Sequence, residues 1–271
     1  MLRRTIHALP AIALLVACGQ AAPPPASPVA GAPPPASATP AIPVVPAYVR
    51  AAVDAADRSP DDRALDAGRK PDLMLAFFGI QPGMKVAELF AGAGYTSELL
   101  SRVVGPTGKV YAENPPFILE KFANVPWTAR LSKPILGNVV RADREVDDPL
   151  PPEATELDAV LCVLVYHDTV WLGADRDKMN QAVFKSLKHG GVYGIVDHSA
   201  KVGSGVSGVK TVHRIEEQTV REEVQRAGFQ LAEEGAFLRN PQDTRDWNGS
   251  PKEAGDRRGT SDRFVLKFRK P

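Results

Sequence analysis

The stretch Glu88-Leu89-Phe90-Ala91-Gly92-Ala93-Gly94 decides how the rest of this chain is interpreted. It follows an apolar run, starting at Lys85, that predicts a buried strand, and it precedes residues 96–104, whose apolar side chains have helical spacing. Glycines between a strand and a helix let a ligand approach the backbone. An acid just before them can accept hydrogen bonds from ligand hydroxyl or amino groups. The stretch therefore predicts a ligand-binding turn.

Strand-like and helix-like segments alternate on both sides of this turn. Apolar runs predict strands over residues 85–90, 108–113, 138–143, 157–165, 192–197, 229–238 and 264–268. Helical spacing predicts helices over 72–78, 96–104, 176–188 and 216–227, with His189 at the end of the third. This alternation predicts an α/β three-layer sandwich in which helices cover both faces of a mostly parallel sheet. Ligands of such sheets bind outside the carboxyl ends of the strands.

The turn resembles that of class I S-adenosylmethionine-dependent methyltransferases. Those enzymes have an acid, one further residue and then Gly-x-Gly-x-Gly. Glu88 matches the acid, Gly92 and Gly94 match the last two glycines, and Phe90 replaces the first. The dinucleotide-binding pattern Gly-x-Gly-x-x-Gly fits less well, because its third glycine would fall at Ser97.

The resemblance covers residues 72–270 and implies a Rossmann-like, seven-stranded sheet that ends in an antiparallel hairpin. It also implies S-adenosylmethionine as the cofactor. The family places a ribose-binding acid at the end of the second strand and an adenine contact at the end of the third, which correspond to Glu113 and Asp143. The residues expected around the cofactor are Glu88, Phe90, Ala91, Gly92, Gly94, Tyr95, Glu113 and Asp143.

The first 46 residues differ in composition from the rest. Ten of the 25 prolines lie between Gly19 and Pro46, and no charged residue occurs between Thr5 and Val49. A short basic segment and an apolar segment lead to Leu15-Val16-Ala17-Cys18, which resembles a bacterial lipobox.

This second resemblance implies a signal peptide over residues 1–18, lipidated at Cys18, and a Pro/Ala-rich tether over 19–47. The methyltransferase-like domain would then span 48–271 and be lipid-anchored in the cell envelope, on the periplasmic side. Gly19 is not Asp, which favours the outer membrane over the inner one. The alternative is an ordinary secretory signal in which the cysteine occurs by chance.

Several motifs, among them Tyr166-His167-Asp168 and His213-Arg214-Ile215-Glu216, narrow the likeness to a group of exported, predicted methyltransferases. The membrane contact is expected through the lipid anchor alone. The net charge of +1 gives no electrostatic reason to expect a nucleic-acid partner. Neither the acceptor nor the oligomeric state can be derived from the residues.

Polar side chains follow two neighbouring predicted strands. His167 and Asp168 come after the fourth strand, Asp197 and His198 after the fifth, and His213 precedes the next helix. Because adjacent parallel strands lie about 4.8 Å apart, these groups are expected to share one space beside the cofactor.

Three interpretations of this group stay open. A histidine removes the acceptor's proton, with His167, Asp168, His198 and His213 as the catalytic candidates. Alternatively, the same four residues bind a metal ion. The third interpretation is a polar network that only holds loops in place. The function is accordingly either methyl transfer to an unknown acceptor or metal or small-molecule binding by a non-catalytic envelope lipoprotein.

Overall fold

A seven-stranded sheet forms the centre of the computed structural model, which describes residues 42–271 together with Leu2. The strands are β1 (Lys85–Leu89), β2 (Lys109–Asn114), β3 (Val139–Asp143), β4 (Leu157–Val163), β5 (Leu187–His198), β6 (Gln230–Gly235) and β7 (Arg263–Arg269). Their order is β3-β2-β1-β4-β5-β7-β6. Strand β7 pairs antiparallel with both β5 and β6, and the other pairs are parallel, which confirms the predicted sheet and its C-terminal hairpin.

Helices cover the sheet and connect its strands. The α-helices are α1 (Ala47–Val53), α2 (Pro60–Arg69), α3 (Pro71–Phe78), α4 (Tyr95–Val104), α5 (Pro116–Ile118), α6 (Asn124–Leu131), α7 (Tyr166–Trp171), α8 (Arg176–Ser186), α9 (Val209–Val212) and α10 (Glu217–Arg226). A π-helical segment, Leu119–Ala123, joins α5 to α6, and short 3-10 helices lie at Pro134–Leu136 and Gly255–Arg257. Within the described residues, no helix combines the length and the apolar character needed to cross a membrane.

Alternating strand residues separate the core into two layers. Side chains such as Tyr193 and Ile195 pack on one face of the sheet, while Val192 and Val196 pack on the other. A third cluster surrounds the fully buried Trp127 under the glycine turn. The sheet and the helices on its two faces form three layers, as the alternation of strands and helices in the sequence predicts.

The predicted position of His189 is wrong. Helix α8 ends at Ser186, and His189 lies inside β5 rather than at a helix C-terminus. The backbone of Gly190 and Gly191 exchanges hydrogen bonds with Lys270, at 2.9 and 3.0 Å. Pairing with the distant C-terminal strand therefore overrides the local helix-ending pattern.

The predicted signal peptide and the lipidation of Cys18 lie outside the described residues, as does most of the tether. The described part begins just before α1, whose first residue is Ala47. Cys162 is a buried free thiol in β4, an environment typical of structural cysteines.

Candidate functional site

Three residues of the glycine turn have positive φ angles, including Phe90, which replaces the first glycine. Gly92 and Gly94 have φ angles of +56° and +84°, and Phe90 has φ +53°. A non-glycine residue in this left-handed region costs about 1–2 kcal/mol. Phe90 therefore adopts the conformation that a glycine would take, and its ring packs in the core.

The end of β2 fixes this turn through four hydrogen bonds. Phe90 donates its N–H to Glu113 Oε2 at 2.9 Å, and Ala91 donates to the Glu113 carbonyl at 2.7 Å. Gly92 donates to Asn114 Oδ1 at 2.7 Å, and Asn114 Nδ2 donates back to the Gly92 carbonyl at 3.1 Å. These bonds tie the turn to the carboxyl end of β2.

The two glycines serve different purposes. A Cβ atom at Gly94 would lie 2.6 Å from Trp127 Cε3 and 2.8 Å from Arg130 Cδ, so this glycine is required by packing. A Cβ at Gly92 would come no nearer than 4.0 Å to Phe90 O. Only Gly92 leaves open space at the turn.

Glu88 is buried and forms a hydrogen bond with the first turn of α4. Its Oε2 accepts a hydrogen bond from Ser97 Oγ, in the first turn of α4. Burial raises the pKa of Glu88 to about 7, although hydrogen bonds from Ser97 and Thr96 oppose that rise. This carboxyl group therefore titrates near neutral pH.

The remaining cofactor candidates have different surroundings. Glu113 is fully buried, and its Oε1 has no hydrogen-bond partner among the described residues. Tyr95 donates its hydroxyl to Asp66 Oδ1 at 2.7 Å, which ties α4 to α2. Asp143 is partly exposed beside Arg141, at 2.8 Å. The ribose and adenine contacts of Glu113 and Asp143 stay predictions.

Asn114, the last residue of β2, contacts the glycine turn and was not among the predicted site residues. Side chains alternate along β2, so Asn114 points away from the side that Glu113 takes. Its amide reaches Gly92 directly, and its Cα pairs with that of Asp143 on β3. The sequence offered one clue, because Asn114 is a second polar residue at the carboxyl end of an otherwise apolar strand.

The structure brings three of the four catalytic candidates into one cluster. His167 Nε2 lies 3.3 Å from Asp168 Oδ1, and His213 Nε2 lies 3.9 Å from the same oxygen. The rings of His167 and His213 meet edge to face with centroids 4.1 Å apart. We call His167, Asp168 and His213 the histidine–aspartate cluster.

Asp197, at the end of β5, orients His167. Its Oδ1 lies 2.6 Å from His167 Nδ1, and its Oδ2 accepts the His167 backbone N–H at 2.8 Å. Both side chains are fully buried. The opposite ring nitrogen, His167 Nε2, therefore faces Asp168. It has no hydrogen-bond partner among the described residues.

His213 reaches the cluster through an unusual backbone conformation. It follows α9 with φ +56°, the left-handed region that non-glycine residues rarely adopt. Backbone outliers of this kind concentrate at functional sites.

The predicted fourth member, His198, lies apart from the cluster. Its Nδ1 is 2.7 Å from Ser261 Oγ, and its ring centroid is 5.7 Å from that of His167. Burial, together with nearby cationic groups, holds the pKa of His198 well below its ordinary value. His198 is therefore a neutral neighbour of the cluster.

Charge is distributed unequally within the cluster. Burial alone would lower the pKa of His167, but Asp197 and Asp168 outweigh it and raise that pKa. Burial and the proximity of His167 lower the pKa of His213 to about 4, while burial raises the pKa of Asp168. The arrangement offers one oriented imidazole, one neutral imidazole and one carboxylate.

Such a set can perform two kinds of chemistry. An imidazole oriented by a carboxylate can accept a proton at its free nitrogen. Two imidazoles and a carboxylate can also bind a transition-metal ion, and one ligand atom from each of the three residues lies within 4.8 Å of the others.

No protein-family model matches the chain. Solved structures do resemble it. An Aquifex aeolicus SAM-dependent methyltransferase is 19% identical and aligns over 81% of this chain and 97% of its own, with a TM-score of 0.54. The fold is that of the class I methyltransferases.

Two further solved structures have a similar fold, and one of them is not named as a methyltransferase. The protein bound to the Trm112 methyltransferase activator of Haloferax volcanii is 17% identical over 83% of this chain and 98% of its own, with a TM-score of 0.53. The [4+2]-cyclase SpnF is 14% identical over 78% of this chain and 81% of its own, also with a TM-score of 0.53. At these identities the likeness concerns the fold, and a protein with this fold can be a cyclase.

Proposed function

We propose that this chain transfers the methyl group of S-adenosylmethionine to an acceptor bound beside the histidine–aspartate cluster. The observation that carries the proposal is the backbone of Phe90, whose φ angle of +53° lies in the left-handed region that glycine adopts without strain. The substitution of Phe90 for the first glycine is therefore compatible with a glycine-like turn at this position.

The residues of the turn fit the cofactor. The open side of Gly92, the unpartnered Oε1 of Glu113 and the partly exposed Asp143 lie at the carboxyl ends of β1, β2 and β3. These ends are where ligands of doubly wound sheets bind. When bound, S-adenosylmethionine supplies an electrophilic methyl group on sulfur.

His167 is proposed as the base that removes the acceptor's proton. Asp197 fixes the Nδ1 side of the ring, so Nε2 is the atom that accepts the proton. Asp197 then stabilises the imidazolium that forms, as an orienting carboxylate does in other base-catalysed reactions.

Binding of S-adenosylhomocysteine, the demethylated cofactor, tests the turn. In Gly92→Val we expect at least tenfold weaker binding by titration calorimetry, because the new side chain fills the open space at the turn. Gly79→Val is the matched control: Gly79 also has a positive φ (+73°) and would meet nothing within 4 Å, but it ends α3. Equal affinity in the wild type and Gly92→Val, or no binding to the wild type at millimolar ligand, contradicts the proposal.

A second candidate function is metal binding at the histidine–aspartate cluster. The unpartnered, fully buried Nε2 of His167 favours it. Asp197 contacts the opposite nitrogen of the same ring, which is how carboxylates commonly orient metal-binding histidines. Two imidazoles and one carboxylate suit Zn²⁺ or Fe²⁺.

Cobalt titration of the purified chain tests this candidate. We expect one Co²⁺ per chain with visible absorption bands, and at least hundredfold weaker binding in His213→Ala. His189→Ala is the control, since His189 is exposed in β5. If the wild type takes up no Co²⁺, or if His213→Ala binds it as tightly, the cluster is not a metal site.

A further inference from the structure

A cavity of about 250 Å³ opens beside the carboxyl ends of β4 and β5. Leu164, directly after β4, and His198, at the end of β5, line one side. Helix α2 and residues 249–263 line the others. These two walls are in tight contact at Gly68, where a Cβ atom would lie 3.0 Å from Gly259 Cα.

Three arginines from separate parts of the chain line this cavity. They are Arg69 at the end of α2, Arg258, and Arg263 at the start of β7, and no Asp or Glu lies among the lining residues. Within residues 42–271, none of the three side chains forms an ion pair. We call this cavity, with Arg69, Arg258 and Arg263 in its lining, the arginine cavity.

Arg263 is the most informative of the three, because only 4% of it is exposed. Its Nε and Nη2 donate to the carbonyls of Ser261 and Gly259, at 3.2 and 2.7 Å. Its Nη1 has no partner among the described residues. Buried guanidinium groups in proteins are normally paired, as Arg214 is with Asp243 at 2.7 Å.

Electrostatics within the cavity are dominated by burial and by the nearness of the arginines to one another, although Asp262 and Asp243 partly offset both effects at Arg263. Burial and the proximity of Arg69 lower the pKa of Arg263 to about 10, and burial also lowers the pKa of Arg69. Arg69 is repelled by both Arg263 and Arg258, and no carboxylate lies among the lining residues. A bound anion would relieve this repulsion and satisfy the free N–H groups.

The arginine cavity adjoins both parts of the proposed active site. Arg69 lies over the ring of Tyr95, the first residue of α4 after the glycine turn, at 4.5 Å. His198 lines the cavity, and its ring is 5.7 Å from that of His167 in the cluster. A molecule held here would be next to the base and to the turn.

We propose that the arginine cavity binds a phosphate or carboxylate group of the methyl acceptor. This assignment rests on the proposed methyl transfer, because it treats the cavity as part of that active site. The anion anchors the acceptor, while a hydroxyl or amine elsewhere on the acceptor reaches His167. The methionine carboxylate of the cofactor has the same chemistry and is the alternative source of the anion.

Titration calorimetry with inorganic phosphate, and separately with acetate, tests the cavity on the purified chain at low ionic strength. We expect saturable binding of at least one of these anions that weakens at least tenfold in Arg258→Gln and in Arg69→Gln. Arg257→Gln is the matched control. Arg257 lies next to Arg258 but stacks on Trp247, at 4.5 Å, and does not line the cavity.

A repeat with saturating S-adenosylhomocysteine separates the two sources of the anion. We expect phosphate or acetate to bind equally well with and without it, and Arg258→Gln to bind S-adenosylhomocysteine like the wild type. Displacement of the anion would assign the cavity to the cofactor's carboxylate and overturn our proposal. So would the absence of saturable binding, or an equal loss in Arg257→Gln. Failure of S-adenosylhomocysteine to bind at all refutes the methyl transfer instead, while the anion titration still reports on the cavity.

Discussion

Replacing Gly94 with alanine is expected to lower the free energy of unfolding by about 3 kcal/mol or more. Two costs add in this variant. The backbone at Gly94 has φ +84°, and the new methyl group would overlap the ring of Trp127. Trp127 is fully buried within its own hydrophobic cluster, so the ring has little freedom to move away.

Urea denaturation measures this effect, and Gly79→Ala separates its two parts. Gly79 has a similar φ of +73°, but a Cβ there would meet nothing within 4 Å. We expect Gly79→Ala to lose only about 1–2 kcal/mol, from backbone strain alone. Equal losses in the two variants would show that the contact with Trp127 is unimportant.

Most of the fold could be predicted from the sequence because its signals are local and repeated. The seven predicted apolar runs correspond to the seven observed strands. Boundaries were less predictable where distant residues decide them. His189 lies in a strand because its neighbours Gly190 and Gly191 pair with Lys270, far along the chain.

The candidate site was predictable only in part. The positions of His167, Asp168 and Asp197 after adjacent strands indicated that they would meet, and the distances agree. Nothing local distinguished His213 from His198. That choice depends on the backbone after α9 and on Ser261, which engages His198.

The arginine cavity was not predictable as a unit. Its members come from α2, from the loop before β7 and from β7 itself. In the sequence Arg69 and Arg258 resemble ordinary surface arginines. Only the fold shows that they converge where no carboxylate lies among the lining residues.

Replacing Asp243 with alanine is expected to destabilise the protein by about 3–5 kcal/mol. Asp243 pairs with the fully buried Arg214 at 2.7 Å and accepts Trp247 Nε1–H at 2.7 Å and the Asp262 N–H at 2.6 Å. Its loss would leave the buried Arg214 cation with only the carbonyls of Trp247 and Ser199 as partners and no carboxylate. Asp177→Ala is the control, since the ion pair of Asp177 with Arg226 is exposed and should contribute less than about 1 kcal/mol.

The pH dependence of this difference identifies its cause. Burial alone would raise the pKa of Asp243, but the N–H groups of Asp262 and Arg245, together with Arg214, hold it below its ordinary value of 3.8. The stability that ionised Asp243 contributes is therefore complete above about pH 4 and is lost as pH falls through the folded-state pKa. We expect the difference between wild type and Asp243→Ala in urea denaturation to be constant from pH 7 to 5 and to shrink below pH 4. A difference that does not change with pH would mean that lost packing, not the buried charge, accounts for the effect.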